Sequence, residues 1–172
     1  MTLDVAKAAA AMFLAAIVQV TILNDIALFH GAPNLVLVTL VAVALLRGTI
    51  FGAAAGFGAG LVVDTATLQT LGVTSLLLTI AGYWIGRYGE TTGRDRTHAP
   101  FLSVVVVTIL YSIGALVLHY MLGDPASAYR VLIQALPFEL LFNLLLTLPV
   151  YALARRLFRP PPTGLEEVRL LG

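Results

Sequence analysis

Cysteine is absent from this 172-residue chain. That excludes disulfides, thiol catalysis and cysteine-based metal sites, and it says nothing of compartment. Charge is scarce as well. Charged side chains make up 11% of the residues, against about 25% in an average soluble domain, which is too little polar surface to cover a globule in water. No polar stretch is long enough to fold as a separate soluble domain. The net charge of +1 gives no electrostatic case for nucleic acid. There is no HExxH, no GxSxG, no Walker loop and no pair of aspartates, so no catalytic apparatus is visible. The intramembrane Ser and Thr residues have no Lys or His base at matching depth. His30, His98 and His119 fall in different loops and depths with no carboxylate to complete a ligand set, so neither a metal nor a cofactor is expected.

What the chain has in abundance is apolar length. Hydrophobic residues make up 59% of it, and its mean hydropathy is +0.96. A membrane span needs about 20 apolar residues. Six are read here: Ala8–Leu23, Pro33–Leu46, Thr49–Val63, Leu71–Ile85, Phe101–Met121 and Val131–Ala154. The expected class is therefore all-α, a polytopic bundle of six transmembrane helices over residues 1–159 with a Pro-rich cytoplasmic tail over 160–172. The run after Lys7 is read as an uncleaved first span and not a signal peptide, because every later segment is also membrane-like. Spans two to four are short for a hydrocarbon layer of ~30 Å. They must extend into their loops, thin the bilayer or be shielded by neighbours. Four spans plus a re-entrant hairpin is the alternative.

The positive charges fix an orientation. Lys7 precedes span one, Arg47 lies between two and three, and Arg87, Arg94 and Arg96 lie between four and five. Arg155, Arg156, Arg159 and Arg169 follow span six, and only Arg130 falls on the opposite side. The positive-inside rule then places both termini in the cytoplasm. Asp25, Asp64 and Asp124 occupy the outer loops. Trp84, Tyr88 and Tyr151 fall near inner span ends, and Phe29, Tyr120 and Tyr129 near outer ones, as interfacial aromatics do. Arg47-Gly48 makes a tight turn, and Pro160, Pro161 and Pro162 stop the last helix. The tail beyond them is expected to be a disordered end.

Two features stand out within the spans. Gly48, Gly52, Gly56 and Gly60 recur every four residues and line one face of span three. Such a face lets a second backbone approach closely, which is a main source of helix affinity in lipid. It serves either packing inside the bundle or docking of a partner's helix. Ser75, Thr79, Gly82 and Gly86 form a similar face on span four. The second feature is a polar stripe on span six: Glu139, Asn143 and Thr147. A carboxylate in mid-membrane is costly, so Glu139 should face the interior. Its expected partners are Gln19 on span one and the Thr108, Ser112, His119 stripe on span five. The stripe is either an interhelical hydrogen-bond network or a binding pocket. Pro137 and Pro149 bracket it and are expected to kink the helix.

The run Ala32-Pro33-Asn34, then Leu45-Leu46-Arg47-Gly48, then Gly52 through Leu61 with its glycines, then Asp64 and Leu71-Gly72, resembles the MreD family of bacterial rod shape-determining membrane proteins. Gly82-Tyr83, Asn143, Pro149 and Arg155-Arg156 follow in the same order. Arg47, Asp64 and Gly72 are the motif positions. The resemblance implies a non-enzymatic scaffold of the inner membrane that binds MreC and modulates peptidoglycan synthesis. It implies a wider complex with MreB, RodA and a class B penicillin-binding protein. It also implies a fold similar to the substrate-binding subunits of energy-coupling-factor transporters. The face of Gly48, Gly52, Gly56 and Gly60 would then be the partner-binding face. The interior polar network would comprise Gln19, Glu139, Asn143 and Thr147. Membrane lipid is the remaining expected contact. The alternative function is a small-molecule-binding subunit of a vitamin-type transporter, with its pocket around Gln19, Glu139 and Asn143.

Overall fold

Each apolar run becomes a helix, because lipid offers backbone N–H and C=O groups no partner and a helix satisfies them internally. The computed structural model describes residues 2–23, 32–68, 70–92, 98–123 and 128–158. The readings placed on Asp25, Phe29, His30, Arg94, Arg96, Asp124, Arg159, Arg169 and the 160–172 tail lie outside the described residues.

The helices are α1 (Thr2–Val18), α2 (Leu35–Arg47), α3 (Thr49–Thr67), α4 (Val73–Thr92), α5 (Ala99–Met121) and α6 (Leu136–Leu157). A π-helical turn, Gln19–Leu23, continues α1, and another, Arg130–Ala135, leads into α6. There is no strand among the described residues. Among the described residues, four segments are long and apolar enough to cross a membrane: Val5–Ile22, Thr49–Thr67, Ala99–Met121 and Arg130–Leu157.

The organising element is α2. Every residue from Val36 through Leu46 is buried, and the helix touches all five others. Its 13 residues give a length of about 20 Å, at 1.5 Å of rise each. A helix this short leaves its ends inside the bundle, where neighbours must satisfy them. The third and fourth spans are longer than their apolar runs suggest, because α3 continues to Thr67 and α4 to Thr92. Asp64 is therefore not in an outer loop. It sits in α3 and is 1% exposed.

The helices alternate in direction. The start of α3 meets the end of α4 where Thr49 meets Glu90, and the ends of α2 and α6 meet where Arg47 lies 5.2 Å over the Phe158 ring. Lys7, Arg47, Arg87, Arg155 and Arg156 thus belong to the same end of the bundle, hereafter the basic end. Of the two prolines on the last span, Pro137 is the second residue of α6, just after the π-helical turn, and Pro149 lies inside the helix.

Candidate functional site

The polar residues converge on helix ends. At the start of α2, Asn34 is the N-cap, and its side-chain oxygen accepts from the Leu37 N–H at 3.0 Å. The Gln19 side-chain oxygen accepts from the Leu35 and Val36 N–H groups, and its amide donates to the Pro33 carbonyl at 3.1 Å. The π-helical turn that ends α1 is the segment that presents Gln19 there. Asn143 of α6 accepts from the Asn34 backbone N–H at 2.7 Å and donates to Thr108 of α5 at 3.1 Å. Gln19, Asn34 and Asn143 thereby supply the acceptors that the half-buried first turn of α2 lacks, with Thr108 of α5 behind Asn143.

The rest of the α6 stripe extends this cluster. Ser112 of α5 donates to Glu139 Oε2 at 3.1 Å. Thr147 donates to the carbonyl of Asn143 in its own helix, at 2.6 Å. Gln19 is not a partner of Glu139, as the sequence had suggested; it is committed to α2. A cavity of about 160 Å³ lies beside the cluster, bordered by Gln19, Asn34, Thr67, Thr74 and Tyr111. Glu139 and Asn143 do not line it, and it is smaller than the roughly 300–1,000 Å³ of ordinary ligand pockets. Gln19 and Asn143 are joined instead through their hydrogen bonds to the residues that open α2.

The second arrangement is the α3–α4 hairpin. A Cβ on Gly52 would overlap the carbonyl oxygen of Gly82, and one on Gly82 would overlap that of Gly52. Gly56 faces the Leu78 backbone, Gly60 the Ser75 backbone, and Gly86 the Gly48 backbone. The two small-residue faces read from the sequence are thus seated on each other. Ser75 Oγ adds an interhelical bond to the Phe57 carbonyl at 3.0 Å. With α4 filling the face of Gly48, Gly52, Gly56 and Gly60, a partner's helix has no access to it. The partner-binding role read for these four positions gives way to packing inside the bundle.

Each helix of the hairpin also caps the other. Asp64 of α3 accepts from the backbone N–H groups of Gly72, Thr74 and Ser75, at 2.8, 3.2 and 3.2 Å. Glu90 of α4 accepts from the Thr49 backbone N–H at 2.8 Å and the Thr49 hydroxyl at 2.6 Å, at the start of α3. A carboxyl oxygen at a helix N-terminus satisfies orphan donors and faces the positive end of the dipole. This explains the motif positions physically. Gly72 has φ +96° in the turn whose N–H Asp64 receives, and Gly48 has φ 95° where α2 turns into α3. Both conformations favour glycine. Arg47 stacks on Phe158, tying that turn to the end of α6.

Sequence reasoning missed Glu90 and the capping role of Asn34. Asn34 carried a signal, an asparagine just before an apolar helical run. Glu90 carried none, because its partner Thr49 is 41 residues away.

A family model described as rod shape-determining protein MreD matches residues 7–157. No curated protein and no solved structure matches the chain.

Proposed function

The chain belongs to the MreD family, and from that premise we propose that it is a non-enzymatic membrane scaffold of the machinery that makes cells rod-shaped. In this reading it resides in the bacterial inner membrane with all six helices crossing and both termini in the cytoplasm. It binds MreC directly and shifts MreC toward one of its conformations, so modulating peptidoglycan synthesis. A partner moves such an equilibrium only by its differential affinity for the two states. MreB, RodA and a class B penicillin-binding protein complete the assembly, and the bundle is taken to resemble energy-coupling-factor substrate-binding subunits.

The observation that carries the reading, beside the family, is what the polar residues are used for. Gln19, Asn34, Asp64, Glu90 and Asn143 each hold a helix end or the residue before one. That suits a rigid body that presents surfaces to partners. The test is co-purification of MreC with the tagged full-length chain from membranes in mild detergent. The expected result is retention of MreC at near-stoichiometric yield. Loss of MreC from a monodisperse, folded preparation would count against the scaffold role.

A further inference from the structure

The cavity of about 160 Å³ lies where the starts of α2 and α4 come together. Five elements build its wall. Gln19 comes from the turn after α1, Asn34 from the start of α2 and Thr67 from the end of α3. Thr74 comes from the start of α4 and Tyr111 from the middle of α5. Val63 of α3 also borders it. A close-packed interior gains contact energy by closing such a space. This one stays open where polar side chains meet, and most of its wall is polar.

Size, polarity and charge identify what fills it. The volume is room for about five water molecules at 30 Å³ each, and too little for a drug-sized ligand. Cavities that stay empty are apolar, and a polar wall loses its hydrogen bonds against an acyl chain. Among the described residues that border the space, none carries a charge that would hold an ion. Asp64, behind Thr74, already accepts from three backbone N–H groups. The wall itself offers donors and acceptors together. Gln19 directs one of its two amide hydrogens to the Pro33 carbonyl. Thr67 donates to the Val63 carbonyl in its own helix at 2.8 Å, which leaves its oxygen able to accept. The Tyr111 hydroxyl can do both. Water, which donates and accepts, matches such a wall.

We propose that this cavity is a binding site for a cluster of ordered waters, which bridge the start of α2 to α3, α4 and α5. Gln19 and Asn34 hold the start of α2, and Asp64 holds the Thr74 N–H at the start of α4. The waters join these two caps across the space between them. A bridging water is enthalpically nearly as good as a direct hydrogen bond. The site belongs to the interior of the bundle and is independent of MreC binding.

The test is X-ray hydroxyl-radical footprinting of the full-length chain in lipid nanodiscs, read by mass spectrometry. Radiolysis of a bound water oxidises the side chains that touch it. Tyr111 should be oxidised at least fivefold faster in the wild type than in Val63→Phe, which puts a ring into the cavity. The circular dichroism spectrum of that variant should be unchanged. Thr67→Val keeps the side-chain shape and removes a water partner, so it should slow the oxidation at least twofold even if Val63→Phe misfolds. In thermal unfolding, Thr67→Val combined with Tyr111→Phe should lower the midpoint by less than the sum of the two single shifts, because residues on separate helices share the waters. Equal oxidation of Tyr111 in the wild type and in folded variants would overturn the proposal, as would additive unfolding shifts. So would native mass spectra in which the wild type retains a solute that Val63→Phe loses, since that assigns the cavity to a small molecule.

Discussion

Single carboxyl and amide side chains have leverage here because each satisfies backbone N–H groups at the start of a helix, most deeply at Asp64, whose bonds to Thr74 and Ser75 are buried. Asp64 was legible in the sequence as a motif position but misplaced into a loop. An aspartate after an apolar run reads as the end of a span, and only the tertiary fold shows it reaching across to three N–H groups of the next helix. Asp64→Ala should destabilise the protein by about 2 kcal/mol, the upper range for removing an N-terminal cap. Asp64→Asn should cost less, because it keeps an acceptor oxygen. Thermal unfolding in detergent checks both. The α6 stripe separates in the same way. Asn143→Ala removes the acceptor of the Asn34 N–H and the donor to Thr108, so a cost of about 1–3 kcal/mol is expected. Thr147→Val loses only a bond within its own helix and should cost no more than the ~0.6 kcal/mol average for hydrogen bonds in membrane proteins. Equal losses in the two variants would show that the network does not anchor α2.

Among the elements, the glycine-rich third helix was the clearest sequence signal, and its partner was the ambiguous part. Spacing of four residues shows that a face exists and not which helix fills it. The complementary face on α4 was equally visible, at Ser75, Gly82 and Gly86, and the structure seats the two together. Two substitutions on α3 should therefore behave oppositely. Gly56→Leu drives a side chain into the Leu78 backbone. Overpacking against backbone should cost about 3 kcal/mol, the upper end of the usual range, seen as loss of the monodisperse species on size exclusion. Gly58→Ala meets nothing and should stabilise α3 by about 0.5–1 kcal/mol through better helix propensity. The same logic explains the lengths of α3 and α4. Their last turns are polar, so hydropathy stopped early, but Asp64 and Glu90 hold those turns as helix.

For the molecule as a whole, charge placement and apolar length made the all-helical bundle readable, with six α-helices among the described residues where six spans were expected. What the sequence left open was how a second helix of 13 residues could serve as a span. The structure answers by burying it among five neighbours, which shield it from lipid and hold its first turn. Whether the α2–α3 turn reaches the far side is the point on which the proposed six-span scaffold depends. Because cysteine is absent, single substitutions report position directly. The decisive measurement is labelling of Ile50→Cys, Thr70→Cys, Thr91→Cys and Arg156→Cys with a membrane-impermeant maleimide in intact spheroplasts. Ile50 is 86% exposed and stands just after that turn. Six crossings with a cytoplasmic basic end require Thr70→Cys to label from outside and the other three only after permeabilisation. Labelling of Ile50→Cys from the same side as Thr70→Cys would make α2 and α3 a re-entrant hairpin and contradict the account.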